Sequence, residues 1–498
     1  MKQRFKVLLI KPPWSRLTGQ SLDSCPTGLS YLAAMLEKDG FDVSIYNADY
    51  NYEKLGLIVG SIRTTTGGYQ EYLRILQDLD DPLWKEVKRV ISEQAPSMVG
   101  ISCVTGDYGS GINVAKLVKE IDPNIPVVMG GLHPTLLPEE VLSNQSIDVV
   151  VRGEGELTLT HLATTMQSQG SLDNILGISY KVNDKIVHNP DRPQVENLDD
   201  LPLPAKHLLL EKQTYSSRAF GRIFMSRGCP FHCIYCASHA LWTRKVRFRS
   251  PENIVQEIEQ VKKNFRTRHF YFDDDTFTLD EQRVMAICNL IIEKNLRISW
   301  GCETRAGQVS PDLAKRMKRA GCEYCNIGVE SGDDEVLRKM KKGITIDQVR
   351  NTRKILKDAG ITFNAYFMFG FPWETATEIE RTVTVMKELN PERAFYSIVT
   401  PYPKTELYEI CSSEGIIPQN LDWSSFFHQS PSMYLTNQLT REETAELIRY
   451  TEEVFDKHNK HEIIKLMLRH PLRLLKLIFE LGYGKPRFIK SLLRFLFR

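Results

Sequence analysis

Residues 227–236 read Arg-Gly-Cys-Pro-Phe-His-Cys-Ile-Tyr-Cys, and the rest of the chain is arranged around them. Cys229, Cys233 and Cys236 stand at C-x3-C-x2-C spacing, directly after the short apolar run 223–225, which reads as a strand end. Thiolates are soft ligands suited to iron–sulfur clusters or zinc. Three close thiolates without an evident fourth would hold a four-iron cluster with one iron uncapped. An open coordination position separates a reactive metal site from a closed structural one. On spacing alone, zinc stays open as the alternative.

Downstream of the cysteines, strand and helix patterns alternate over 218–440. Ser250-Pro251 caps a helix running to about 265, with proline in the first turn. The strand over 268–273 ends in Asp273-Asp274-Asp275. Three adjacent carboxylates repel unless cations or donors are near, so they either approach a ligand or cap the next helix. The strand over 298–304 ends at Arg305, suited to bidentate pairing with a carboxylate. The strand over 322–329 runs into Glu330-Ser331-Gly332, and that over 363–369 into Gly370-Phe371-Pro372. A sixth strand covers 394–399. Six strands predict an open partial barrel, whose functional edge is the strand ends. Cys322 and Cys325 stand three apart on one strand, which predicts opposite faces rather than a shared metal.

Upstream, residues 1–190 alternate strands and helices as a doubly wound, Rossmann-like parallel sheet covered on both faces. The continuous apolar run 5–10 reads as a buried strand, and the stretch 50–80 as an irregular polar insertion. In such sheets ligands bind beyond the carboxyl ends of the strands. Those ends carry Ser102 and Thr105, then Gly130-Gly131-Leu132-His133, then Gly153-Glu154-Gly155-Glu156. Residues 176–187 read as a hairpin about Asn183-Asp184. The Asp- and Pro-rich stretch 191–217 reads as a linker.

The cysteine motif, with an aromatic residue (Tyr235) just before its last cysteine, resembles that of the radical S-adenosylmethionine (SAM) enzymes. The domain ahead of it is similar to their cobalamin-binding domain, so the closer likeness is to the cobalamin-dependent class. This resemblance implies a 4Fe-4S cluster on Cys229, Cys233 and Cys236, with SAM chelating the open iron and yielding a 5′-deoxyadenosyl radical. It implies an external electron donor such as flavodoxin or ferredoxin. It assigns SAM contacts to Tyr235, Arg305, Glu330, Ser331, Gly370 and Pro372, and cobalamin contacts to Ser102, Thr105, Gly130, Gly131, His133, Glu154, Gly155 and Glu156. The wider cobalamin family often carries Asp-x-His-x-x-Gly after its first strand. Here that loop reads Lys11-Pro12-Pro13-Trp14-Ser15-Arg16 and has no histidine, so base-off cobalamin is expected. Lys404 stands where relatives usually have glycine. No catalytic side chain is singled out.

The function implied is methylation of an unactivated carbon in a hydrophobic or lipid-like small molecule. The alternatives are an oxidative cyclase or ring-forming enzyme without methyl transfer, and a non-catalytic corrinoid- or cluster-binding protein. The composition is 42% hydrophobic and 25% charged with a formal net charge of +2, which gives no nucleic-acid footprint. Without an evident secretory signal or an apolar run of membrane-spanning length, the chain is expected in the cytoplasm with its thiols reduced. The region 441–498 reads as helical. Its last part, 461–498, sets nine Lys and Arg against Glu462 and Glu480, a pattern that also suits contact with an anionic membrane surface.

Overall fold

A computed structural model describes residues 5–18, 21–51, 65–417, 421–423 and 435–469. Lys6–Lys11 (β1) carries four successive buried apolar residues, as a strand covered on both faces requires. It lies between Asp42–Asn47 (β2) and Met98–Ser102 (β3), parallel to both. Val127–Gly130 (β4) and Val149–Val151 (β5) extend the parallel sheet. The antiparallel hairpin of Ile178–Val182 (β6) and Lys185–His188 (β7) completes it. Asn183 and Asp184 sit at φ 48° and 62°, the left-handed pair that a two-residue hairpin turn needs. The strand order β2-β1-β3-β4-β5-β6-β7 reverses direction between β1 and β3. That reversal opens a crevice beyond the carboxyl ends of these two strands.

Two expectations about connecting segments are corrected. Part of the stretch read as an irregular insertion is the helix Thr65–Gln77, whose Tyr72 and Ile75 are buried beside Trp84. Its glycine pair and polar residues hide the helical period. Residues 52–64 lie outside the described residues. The stretch 191–217 is packed rather than loose. Ala205 N–H donates to Ser30 O at 2.9 Å and Leu210 N–H to Ile45 O at 2.9 Å. Lys206, 1% exposed, donates to Phe220 O, Arg222 O and Glu257 Oε1 at 3.0, 2.8 and 3.0 Å. A buried ammonium persists only when paired and fully hydrogen-bonded.

The second sheet begins at Arg222–Ile223 (β8). The short pair Ser226–Arg227 (β9) and Arg247–Phe248 (β10) flanks the cysteine loop. His269–Phe272 (β11), Ser299–Thr304 (β12), Cys322–Glu330 (β13), Thr362–Phe369 (β14) and Arg393–Ile398 (β15) follow. These strands are parallel in the order β15-β14-β13-β12-β11-β8, an open half-barrel. Alternate residues face outward onto helices and form the core: Phe270, Phe272, Trp300, Phe363, Phe367 and Phe369 are all buried. The intervening residues line the lumen. The helical reading of the C-terminal region holds over Arg441–Arg469, a single helix. It covers the last strand, with Asn459 exchanging two 2.8 Å hydrogen bonds with the backbone of Ala394. Residues 470–498, most of the basic tail, lie outside the described residues. No helix among the described residues is long and apolar enough to cross a membrane.

The expected opposition of Cys322 and Cys325 does not hold. The register passes from Trp300↔Cys322 to Gly301↔Tyr324, so Glu323 is an extra, bulged residue. A bulge shifts the side-chain alternation by one. Both thiols are therefore buried on the outer face, and Cys325 Sγ lies 3.6 Å from Cys302 Sγ.

Candidate active site

The cysteine loop is held from three sides. Ile234 N–H donates to Met340 O at 3.1 Å, and Leu407 N–H donates to Ile234 O at 3.0 Å. Asp274 is buried and accepts from the backbone N–H of Met225 and Ser226 and from Ser226 Oγ, at 3.1, 2.6 and 2.6 Å. Asp275 accepts from Ser238 Oγ at 2.6 Å, just after Cys236. Asp273 pairs with Arg222, Nε to Oδ2 at 3.2 Å. The three adjacent aspartates thus diverge, two of them bracing the loop.

Cys229, Cys233 and Cys236 are free thiols, each half-buried. Burial pushes the Cys236 thiol up to about 11, so a nearby cation or metal is needed to hold it as thiolate. Among the described residues no three His, Cys, Asp or Glu side chains converge as one metal ion would require. A four-iron cluster makes no such demand, since each thiolate binds its own iron. The residues present therefore fit the cluster.

Around the loop, Arg305 is 6% exposed and lies 3.8 Å from the centroid of Phe231, with Nη1 3.9 Å from Cys233 Sγ. Glu330 ends β13 at φ 68°, a left-handed conformation that costs a non-glycine residue about 1–3 kcal/mol. Such strain is retained where the surroundings enforce it. Lys342 Nζ lies 2.6 Å from Glu330 Oε1 and donates to Tyr235 Oη at 3.2 Å. A Cβ on Gly328 would meet this pair at 2.4 and 2.7 Å, so glycine makes room for it. Gly370 has φ 93°, and its N–H and that of Phe371 donate to Glu374 Oε2 at 2.8 Å each. Glu374 is wholly buried, its carboxyl is pushed up to about 7 by that burial, and its Oε1 has no partner. An unpaired buried polar atom calls for a partner outside the protein, which suits a nucleoside at this turn. Pro372 is buried beside it.

Ser331 departs from expectation. It is fully buried and turned to the helix Ala376–Leu389, where its Oγ meets Thr382 Oγ1 at 3.3 Å. In this arrangement its hydroxyl shapes the turn. Lys342 and Glu374 were not singled out from sequence. Lys342 lies outside the strand-end motifs and Glu374 closes the turn after Phe369, and each becomes visible as a site residue only through its partners.

At the crevice of the first sheet, Val104 is 51% exposed at the carboxyl end of β3. Lys11 Nζ and Asp107 Oδ2, 3.8 Å apart, join the loops after β1 and β3. Ser102 is half-buried there. A Cβ on Gly130 would meet only Val151, at 3.5 Å or more, whereas one on Gly131 (φ 104°) would strike Cys103 O at 2.4 Å. Gly131 serves loop packing, whereas a side chain at Gly130 would only make ordinary contact with Val151. Thr105 and His133 are buried together, Oγ1 to Nδ1 at 3.2 Å. The imidazole lies 4.2 Å from the Tyr108 ring and 5.6 Å from Trp423, and its Nε2 is unpaired. An exposed valine at the switch point and an orphaned buried nitrogen behind it fit a large flat cofactor with a polar tail.

Glu154 and Glu156, expected beside that cofactor, face elsewhere. Glu154 pairs with Arg227 and Arg247 at 2.8 and 2.9 Å, and Glu156 with Arg227 at 2.5 Å. The intervening Gly155 packs on Leu32. The Gly-Glu-Gly-Glu turn is therefore a clamp on the cysteine loop. Burial pushes the Glu154 carboxyl up, but Arg247 and Arg227 outweigh it and hold it below the usual range.

Comparison with known proteins agrees with both halves. The radical SAM superfamily model matches residues 223–386, and the B12-binding domain model matches residues 69–163. An uncharacterized methyltransferase of Pyrococcus horikoshii is 32% identical over 98% of this chain and 98% of its own length. The chain belongs to the cobalamin-dependent radical SAM enzymes. The anaerobic magnesium-protoporphyrin IX monomethyl ester cyclase of Rubrivivax gelatinosus is 30% identical over 69% of this chain and 63% of its own length. A solved radical SAM methyltransferase of Kitasatospora setae, with cobalamin and a [4Fe-4S] cluster bound, superposes with TM-score 0.65 at 17% identity. That match covers 84% of this chain and 76% of the other, and it shows the shared fold. As a cobalamin-dependent radical SAM enzyme, the protein uses a [4Fe-4S] cluster, SAM and cobalamin.

Proposed function

We propose that the enzyme methylates an unactivated carbon of a small molecule with an apolar body. Bound together, the cofactors supply a carbon-centred radical and a methyl group to quench it. The observation that carries the reading is the clamp between the two domains. Arg227, two residues before Cys229, is fixed to Glu154 and Glu156 of the cobalamin domain, so the crevice of one domain and the lumen mouth of the other are rigidly related. Tyr271, Tyr324, Tyr366 and Phe395 line that lumen, and paired rings such as Tyr366–Phe395, with centroids 5.2 Å apart, suit an apolar body. Cys229, Cys233 and Cys236 would hold the cluster. Arg305, Tyr235 and the Glu330–Lys342 pair would orient SAM on it. Gly370, Pro372 and Glu374 would form the turn against its adenine. Ser102, Val104 and Gly130 would border the corrin, with Thr105 and His133 buried together in the same loop cluster.

The full-length likeness to a methyltransferase favours methyl transfer, while the cyclase likeness supports ring formation as the second reading. To separate them, holoenzyme is incubated with reductant, trideuteromethyl-SAM and lipophilic metabolites extracted from cells lacking the protein. Appearance of a trideuteromethylated metabolite supports methylation. A product that loses hydrogen without gaining label supports cyclisation.

A further inference from the structure

The barrel lumen holds a polar network that none of the cofactor sites uses. The register sets Glu303 beside Asn326, and Asn326 beside Asn364, on three successive strands. Asn364 Nδ2 donates to Asn326 Oδ1 at 2.9 Å, and Asn326 Nδ2 donates to Tyr271 Oη at 2.8 Å and Tyr366 Oη at 3.2 Å. Both phenols donate in turn to the same oxygen, Glu303 Oε1, at 2.9 and 3.4 Å. Every donor thus runs toward one carboxylate. Its second oxygen, Oε2, takes no hydrogen bond among the described residues. The other end of the network is also unsatisfied, because Asn364 is 6% exposed and its Oδ1 has no partner. The half-buried Glu303 Oε2 and the buried Asn364 Oδ1 are thus both acceptors left open to a donor from outside the protein.

The place is where a substrate belongs. Glu303 and Arg305 are two residues apart on the lumen side, about 7 Å along the chain direction. Arg305 in turn touches Phe231 and Cys233 of the cluster loop. The surrounding charge favours a donor. Asp273 and Asp275 stand near Glu303 against the single guanidinium of Arg222, which Asp273 already holds at 3.2 Å. Arg393 begins β15, two strands beyond β13, and is exposed.

We propose that Glu303, fixed by Tyr271 and Tyr366, is the substrate-recognition residue and grips a hydrogen-bond-donating head, ammonium or hydroxyl, of an otherwise apolar substrate. The inference rests on the radical chemistry proposed above and names the polar feature its substrate carries. A hydroxyl or ammonium donates to Oε2, whereas a carboxylate there meets like charge.

The test uses holoenzyme with SAM bound and three probes of one chain length: n-hexylamine, 1-hexanol and hexanoate. Binding is measured by saturation-transfer NMR. Wild type is expected to bind the amine and the alcohol about ten-fold more tightly than hexanoate. Glu303→Gln is expected to erase the lead of the amine and the alcohol over hexanoate. Tyr366→Phe, which loosens the carboxylate without removing it, is expected to weaken both probes while keeping their order. Iron and SAM content show that each variant is folded. Hexanoate binding as well as hexylamine in wild type, or an unchanged preference in folded Glu303→Gln, overturns the proposal. Of the two donor classes, a lead for the amine in wild type assigns the head as ammonium, and equal binding assigns it as hydroxyl. S-adenosylhomocysteine formation by wild type reports separately on the reading of methyl transfer, so the two fail independently.

Discussion

Arg227 Nη1 lies 2.8 Å from Glu154 Oε1, joining the strand ahead of the cluster loop to the N-cap of the last helix of the cobalamin domain. The contact is buried on both sides, and Arg247 shares the same carboxylate at 2.9 Å. Removing one partner of a buried pair strands the other charge, which costs about 3–5 kcal/mol. Glu154→Ala leaves two guanidiniums facing each other, so a loss of that size is expected in chemical denaturation. Glu154→Gln, which keeps the shape, should lose less. Because the Glu154 carboxyl is held below its ordinary value, its contribution is present above the unfolded-state pKa and is lost as pH falls below about 4.

His133 gives a second pH dependence. Burial lowers its imidazole to about 4, so the folded protein keeps it neutral while the unfolded chain takes up a proton near 6.5. The unfolded state binds more protons, and stability is lost as pH falls from about 6.5 to about 4. The full span is about 3 kcal/mol. His133→Phe should flatten the slope of unfolding free energy against pH across this window, and an unchanged slope would remove the histidine as its source.

At the SAM site, Glu330→Gln keeps the shape of the side chain but removes the charge facing Lys342 at 2.6 Å. A hydrogen bond to a charged group contributes about 1.5–3 kcal/mol, so SAM affinity should fall about ten-fold or more in anaerobic equilibrium dialysis. Iron content should stay at the wild-type level, since the three cysteines are untouched.

At the crevice, Val104→Trp places bulk where a flat corrin would lie. Val104 is already 51% exposed, so folding should be little affected. Cobalamin retained after desalting should drop sharply while iron and SAM content hold. Retention equal to wild type would move the corrin site elsewhere on the sheet edge.

Much of this was legible in the chain itself. The C-x3-C-x2-C loop, the apolar run of β1 and the six strand ends from Ile223 to Ile398 follow from ligand chemistry and periodicity. What escaped were interactions between residues far apart in sequence. Glu154 looks like part of a glycine turn until Arg227 and Arg247 arrive from 73 and 93 residues away. Lys206 sits in a proline-rich stretch whose composition reads as linker, and only Glu257 explains its burial. Cys325 misled because a single bulged residue, Glu323, reverses the alternation on which strand-face reasoning depends. Ser331 has the residue type of a ligand contact, but the fold turns it to Thr382.

The most direct test of the central claim is product analysis on anaerobically reconstituted protein given SAM and a strong reductant, with and without cobalamin. The account predicts 5′-deoxyadenosine together with S-adenosylhomocysteine, the second appearing only when cobalamin is present, and neither above background in Cys233→Ala. S-adenosylhomocysteine formed equally without cobalamin, or cobalamin-loaded enzyme that releases deoxyadenosine alone, would contradict it.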